Sequence, residues 1–567
     1  MRTRNKLLPV FLSLVLAMAF FVAMPMAADA LTVTEIDADN VSVQITGTDP
    51  VADIAEVVDD LLNGTDNSGL NPTNKMYENV VVLGSKTNAD VTLSLEIPED
   101  QTVTWQAAYT TDAPIASALF EVSGDGVFIV NNTTISAKGE DQVIAAPGSV
   151  INLSDCELTA EAGIVIEAQS VIVIADSQVK LSNDGSADPV LKTEDSTYVE
   201  NAQLTVFGNI ESIQYGVVVG GDAVVTINGN ITAGWHSVYS WGYTDLTVNG
   251  NLSAKWRGVY AWGGGDVTIN GDIESLSVGV TVHDWVTVNV TGNITSINSD
   301  GVTADNESVL NIDGSIVARL DGVYVINESV VTVTGSITSE SDGVLAKNGS
   351  EVTVSGGITT NNSGVEALDG SIVKVEGDVT TQGDIIAESG SIIEILGNVS
   401  LTGPLSSVIA TDSDLTIGGN LVVSGLNDDG YYALFSFDDG MVWIKGNVSS
   451  NMNGVLAGND STVIIDGELT APLIYITFNN DDMDPLNLNK SGYFVPTTRA
   501  GYFTYTDGLN YVWIADNTVP TTPTTPTTPT TPATGDSLGL LGWLSVAFSL
   551  LAAGLILTRR QMLLTAR

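Results

Sequence analysis

The sequence predicts an all-β fold, a single-stranded parallel β-helix solenoid with about 21 residues per coil and a small N-terminal helical cap. Three observations predict it. First, a phrase of the form Val-x-Val/Ile-x-Gly-Asn/Asp-Ile recurs. Its glycines are Gly208, Gly229, Gly250, Gly271, Gly292, Gly314, Gly335, Gly356, Gly377, Gly397, Gly419, Gly446 and Gly467, and eight of the twelve intervals are 21 residues. Second, the residue two before each Gly is Val or Ile, and those four before and two after are Val, Ile or Leu. Such side chains alternating with polar neighbours describe strands with one buried face. Third, another apolar strand lies twelve residues before the Gly, at Val217, Val238, Val259, Val280, Val302, Val323, Val344 and Val365, usually behind a small residue that marks a bend. Three short strands per coil cannot bury their apolar faces alone, but stacked coils share one core. A leucine-rich array would need a Leu/Asn consensus and a propeller would need blades of about 40 residues, and the phrase fits neither.

The elements follow in chain order. Residues 1–30 carry Arg2, Arg4 and Lys6, an apolar run from Leu7 to Val22 and Ala28-Asp29-Ala30, which reads as a secretory signal peptide. Residues 31–110 form an N-terminal cap region. In it Asp49 is predicted to cap a helix that starts at Pro50, buries Val51, Ile54, Val57, Val58, Leu61 and Leu62, and ends at Gly64. Residues 111–475 are the β-helix, with about four looser coils between Gly126 and Val199 before the regular ones begin. The repeated Gly is read as a left-handed turn position, and the Asn beside it (Asn209, Asn230, Asn251, Asn293, Asn398, Asn420, Asn447) as a ladder stacking on the next coil. Residues 476–517 close the far end with the aromatic-rich stretch Tyr502 to Ile514. Residues 518–534 place Pro at every third position, a polyproline II stalk of roughly 50 Å. Residues 535–567 contain 20 mostly apolar residues, Leu538 to Leu557, followed by Arg559 and Arg560, the pattern of a membrane span with its basic end in the cytoplasm.

Charge and composition narrow the function. The chain has 19 Lys and Arg against 68 Asp and Glu, a net charge of −49. Nucleic acid is excluded as a partner, because phosphate binding needs clustered cations, and anionic lipid is disfavoured for the same reason. One cysteine, Cys156, rules out an internal disulfide framework and a thiolate zinc cluster. Two histidines, His236 and His283, leave little room for imidazole chemistry.

Pro532, Thr534 and Gly535, followed by the apolar span and the basic tail, resemble the sortase signal of Gram-positive cell-wall proteins, with Thr531 where Leu is usual. The resemblance implies cleavage at Thr534–Gly535 and covalent attachment to peptidoglycan. A plain membrane anchor on a Thr/Pro stalk is the alternative. The coil pattern across roughly 110–475 is similar to the right-handed, pectate-lyase-like β-helix of bacterial surface and secreted proteins. That likeness is architectural and does not fix a function.

Candidate site residues come from the repeat. Trp235 lies over Trp256, Tyr239 over Tyr260 and Trp241 over Trp262, while His283 and Trp285 extend the area into the next coil. Val238 and Val259 point inward, so Tyr239, Tyr260, Trp241 and Trp262 point outward and form an aromatic strip. Exposed rings of this kind suit sugar faces or a protein partner, whereas the plainer reading is a stack that stiffens the coils. A smaller cluster, Tyr431, Tyr432, Phe435, Phe437 and Trp443, borders the one long insertion. The acidic stretch with Asp481, Asp482 and Asp484 offers oxygen ligands of the kind calcium takes, without the spacing of a calcium loop; no other cofactor is expected. Acidic pairs such as Asp428-Asp429 and Asp438-Asp439 are the formal candidates for glycosidase carboxylates. They stand without the Gly-His-Gly and Arg-x-Lys of the polygalacturonase-like pattern. The catalytic set is therefore read as empty. The expectation is a non-enzymatic, surface-anchored, adhesin-like rod contacting an extracellular glycan or a surface protein of a host or neighbouring cell. A polysaccharide lyase or glycoside hydrolase with a non-standard site, and a purely structural wall component, are the alternatives.

Overall fold

Alternating Val, Ile and Leu dictate where the chain turns inward, and the computed structural model follows them coil by coil. It describes residues 31–517 except 112–113, 116–117, 139–141, 161–163, 174–176, 184–188, 426–430 and 481–483. The expected leader, stalk and anchor, with Pro532, Thr534 and Gly535, lie outside the described residues, as do Asp428, Asp429, Asp481 and Asp482.

The fold is an all-β parallel solenoid of about 18 turns with about 21 residues per turn. One coil shows the plan. Val217–Gly221, Val224–Asn228 and Ile231–Ala233 are its three strands. Each pairs in parallel with its equivalent one coil on: Val238–Gly242, Thr244–Val248 and Leu252–Ala254. We call these three columns of strands the first, second and third stacks. Val217, Val219, Val225, Ile227 and Ile231 fill the interior and are fully buried. Each such side chain is worth roughly 1.5–3 kcal/mol removed from water.

Parallel stacking begins at Asn40–Ile45, which pairs with Asn79–Lys86 and through it with Thr102–Trp105 and Val127–Asn131. Here the core is aromatic: Trp105, Tyr109, Phe120 and Phe128 are buried with ring centroids 4.8–5.7 Å apart. Antiparallel strands cover the first parallel strand and the last strands of the first and second stacks. Thr32–Glu35 pairs antiparallel with Asn40–Ile45. At the other end Leu486–Leu488 pairs antiparallel with Ile476–Phe478, the last strand of the first stack. Tyr511–Ala515 ends the second stack and is covered by antiparallel Tyr502–Thr506.

The helix α1, Val51–Asn63, buries the six predicted residues and Asp60. Gly64 ends it in the left-handed region at φ 67°. Asp49 is not its cap: Pro50 holds the cap position, and the Asp49 carboxylate accepts from the Thr46 N–H at 2.6 Å, closing the turn before the helix. Asp60 organises the loop that follows. Burial alone would raise its pKa, but hydrogen bonds from Thr65, Ser68 and Asn67 outweigh that and hold it at about 2.

The repeated glycine is needed for a reason other than the turn reading. Among the thirteen only Gly208 has positive φ. The others are pressed against the preceding coil: a Cβ on Gly250 would lie 2.2 Å from the Gly229 carbonyl oxygen, and one on Gly335 2.4 Å from that of Gly314. Close backbone approach, not torsion, excludes every other residue. The Asn ladder is present, and its main bond is from side chain to backbone. Asn209 Oδ1 accepts from Asn230 N–H, and Asn230 Oδ1 from Asn251 N–H, both at 2.8 Å. A second ladder joins the side chains of Asn228, Asn249 and Asn270 at 2.7–2.8 Å. Downstream a buried serine ladder repeats the device. Ser371 Oγ accepts from the Ser350 N–H at 3.2 Å and donates to the Leu368 carbonyl at 2.8 Å.

Candidate functional site

Outward residues of the first stack form one column in register: Val218, Tyr239, Tyr260, Thr281, Thr303, Tyr324, Leu345 and Glu366. Although they face away from the core, they are largely shielded; Val218 is 8%, Thr281 3% and Leu345 8% exposed. The equivalent outward residues of the third stack, such as Thr232, Ser253, Thr338 and Thr359, are exposed. The turn before the first stack lays side chains against this column, His236 beside Tyr239 and Tyr260 and Arg257 over Tyr260, and we call the surface they border the trough. One wall is a second column. Backbone bonds from Gly216, Ser237, Gly258, Gly279, Gly301 and Gly322 N–H to the next coil place His236, Arg257, Val278, Asp300, Asp321 and Asp342 one above another. Tyr215 precedes them.

At the end holding the predicted residues the trough is aromatic. Tyr239 and Tyr260 stack at 5.4 Å and 24°, and Trp241 and Trp262 at 6.4 Å and 24°. Trp262 Nε1–H donates to Tyr239 Oη at 3.3 Å and joins the two pairs. The Trp241 indole lies over Gly220, where a Cβ would meet its ring at 2.2 Å. Tyr215 packs edge-on against Trp235 at 5.3 Å, and His236 sits between Tyr215 and Tyr260 at 5.5 and 5.8 Å. The Arg257 guanidinium lies 4.8 Å from the Tyr260 ring centre, a cation–π distance. His283 packs edge-on against Tyr260 at 5.7 Å, with its Nδ1 3.6 Å from Asp305. The structure thus brings Trp235, Tyr239, Trp241, Tyr260, Trp262 and His283 together. Trp256 and Trp285 stand at its margins, each about half exposed or more and, among the described residues, without a ring contact. Trp285 sits in the turn after the first stack at φ 65°, beside Asp284 at φ 58°.

Sequence reasoning missed two members, Tyr215 and the exposed Tyr243, whose ring lies 3.1 Å from where a Gly264 Cβ would be. More telling are atoms left without partners. His236 Nδ1, Arg257 Nε and Thr281 Oγ1 are buried and make no hydrogen bond. They fall in three successive coils. A buried polar atom without a partner costs about 1–3 kcal/mol, and a comparable group, Gln101, Gln106 and Tyr109, lies in the N-terminal coils. Burial, with Arg257 beside it, pushes the His236 pKa down to about 4, so the ring is neutral at pH 7.

Further along, the same wall becomes acidic. Asp300, Asp321 and Asp342 each lead an Asp-Gly-Val phrase, and their carboxylates accept from the next coil: Asp321 N–H to Asp300 at 3.2 Å, Asp342 N–H to Asp321 at 3.1 Å, Ser363 N–H to Asp342 at 3.1 Å. Burial raises the Asp300 pKa. Burial, with Glu366 and Asp321 nearby, raises that of Asp342 to about 6. The 21-residue recurrence of Asp-Gly-Val is the signal that could have found this row.

The other candidates are not gathered. In the smaller cluster Tyr432, Phe435 and Phe437 share the first stack, with centroids 5.7 and 6.4 Å apart, while Trp443 belongs to the second stack and donates to Asp466 at 2.9 Å. Asp438 and Asp439 occupy a left-handed turn at φ 53° and 62°, and Asp438 accepts from Asn459 at 2.8 Å, a structural role. Asp484 is exposed, and among the described residues no group of three His, Cys, Asp or Glu side chains is placed to hold a metal ion. No described helix is long and apolar enough to cross a membrane. Two open hollows lie near the ends, around Leu473 and Asn487 and around Ala55 and Pro147. No protein-family model matches this chain, and no curated protein matches it either.

Proposed function

We propose that this protein is a surface-anchored, adhesin-like β-helix that holds an extracellular glycan on the aromatic trough between Tyr215 and His283. The observation that carries the reading is the contiguous set of ring faces in which exposed Trp235 and Trp262 flank the stacked Tyr239–Tyr260 and Trp241–Trp262 pairs. Sugars present flat C–H faces to such rings. The open, elongated shape suits a chain rather than a small molecule enclosed in a pocket. Anchoring and export rest on the terminal segments read from the sequence, and peptidoglycan is the attachment partner they imply. The test is binding of the full chain to a broad glycan panel, read by tryptophan fluorescence and calorimetry. Binding lost in Trp241→Ala with Trp262→Ala supports the reading. Binding unchanged in that variant sinks it, and a protein ligand captured through the same residues would replace glycan with the other partner class.

A second reading is a polysaccharide-degrading enzyme. It draws on Asp342, whose raised pKa in an acidic row beside the trough is a feature that catalytic acids share. Release of reducing ends from neutral and acidic polysaccharides would establish it.

A further inference from the structure

The trough does not stop at its aromatic end. Thr281 is the floor residue where its two halves meet: its neighbours in the column are Tyr260 on one side and Thr303, on the coil of Asp300, on the other. Its side chain faces away from the core between inward-facing Val280 and Val282, the residue is 3% exposed, and its hydroxyl oxygen is buried without a hydrogen-bond partner. Beyond it the wall changes from His236 and Arg257 to Asp300, Asp321 and Asp342 without a break in the register. Coils rise by about 4.8 Å, comparable to the length of one pyranose residue in an extended chain. A linear glycan lying along the stack would therefore meet rings on its first residues and carboxylates on the next.

We propose that the glycan this trough accepts is a polymer of amino sugars with free amines, lying along the solenoid axis with ring faces on Tyr239, Tyr260, Trp241 and Trp262 and ammonium groups against Asp300, Asp321 and Asp342. This rests on the glycan-binding reading above and narrows its substrate class. Three lines converge on it. Burial first, and neighbouring acids second (Asp321 beside Asp300, Glu366 and Asp321 beside Asp342), disfavour the charged forms of Asp300 and Asp342, and a bound cation offsets that cost. Each carboxylate uses one oxygen on a backbone N–H of the next coil, shared at Asp342 with the Asn362 amide, and the other oxygen keeps acceptor capacity. The net charge of −49 repels polyanionic glycans such as uronic-acid chains and attracts a polycation.

The test compares three probes on the full chain at low and moderate salt: a glucosamine hexasaccharide, its fully N-acetylated counterpart and an oligogalacturonate. The expected result is a preference of about tenfold or more for the free amine over the acetylated chain, weakened by salt, and no binding of the uronate. Asp321→Asn with Asp342→Asn keeps the side-chain oxygen that each backbone N–H uses, so the coils should hold. It should abolish the preference while leaving the acetylated chain bound. Trp241→Ala with Trp262→Ala should abolish both. Equal binding of amine and acetylated chains, or a preference that survives the double Asn variant, overturns this proposal and leaves the glycan reading standing. No binding of any probe or of any glycan in the wider panel overturns both.

Discussion

Two stretches of the first stack have the same backbone and different surfaces. The coils led by Val238, Val259 and Val280 and those led by Val323, Val344 and Val365 pair in the same register over the same aliphatic interior. In the later stretch the turn after the strand is satisfied by ladders: Asn348 donates to Asn327 at 2.8 Å, and serines 350 and 371 bond coil to coil. In the earlier stretch that turn holds Gly242-Tyr243, Gly263-Gly264 and Asp284-Trp285 instead, rings stand open to solvent, and three buried polar atoms go without partners. In the turn after that strand the later coils show what the architecture requires. The earlier ones depart from it at a cost in stability, which is the pattern of a site kept for something other than folding.

The largest effect should be common to both stretches. Gly271→Val and Gly335→Val would each drive a side chain into the carbonyl of the preceding coil, at 2.3 and 2.4 Å from the Cβ alone. Each should lower stability by more than about 3 kcal/mol in urea unfolding. A tolerant Gly271 would show that the two stretches do not share one backbone constraint.

Binding should then separate them. Trp241→Ala with Trp262→Ala should weaken glycan binding by about a hundredfold, as removal of central aromatic anchors does at other interfaces. Thr338→Ala with Thr359→Ala removes exposed side chains from the third stack of the later coils, away from the trough, and should change affinity less than about twofold.

The pH dependence should differ in sign. His236 binds its proton less tightly folded, at about 4 against an ordinary 6.5. Its contribution to stability is therefore complete above pH 6.5 and is lost as pH falls toward 4, by about 2 kcal/mol. His236→Gln should remove that acid-side loss. Asp342 binds its proton more tightly folded, at about 6 against 3.8. Stability from this group is complete below pH 3.8 and is lost as pH rises to 6, by about 1 kcal/mol after solvent screening. Asp342→Asn should be stabilising at pH 7 and neutral at pH 3.5. Urea midpoints measured from pH 3.5 to 7.5 check both, and slopes of the same sign would contradict the assigned environments.

The smallest effect should be at Trp285. It is 64% exposed and touches no other described ring, so Trp285→Ala should cost less than about 0.5 kcal/mol in thermal unfolding.

Much of this could be read from the sequence because the repeat supplies the register. Once Val238 and Val259 are known to be equivalent, Tyr239 over Tyr260 and Trp241 over Trp262 follow from alternation. What could not be read depends on how closely coils approach and where side chains turn. The repeated Gly reads as a turn position in the sequence, yet contact with the carbonyl one coil back sets its identity. Asp49 has the chemistry of a helix cap and spends its carboxylate on Thr46 instead. Trp256 and Trp285 share the period of the strip, but their rings stand apart from it. The acidic wall went unseen because Asp before Gly is ordinary turn composition; only stacking turns Asp300, Asp321 and Asp342 into one surface.

The central claim is that the aromatic departure from the repeat is a glycan site. Calorimetric titration of a bound glycan into the full chain, alongside the Trp241/Trp262 and Thr338/Thr359 double alanine variants, decides it. Binding should be lost in the first and unchanged in the second. Wild-type affinity in the first variant, or equal loss in both, would contradict it.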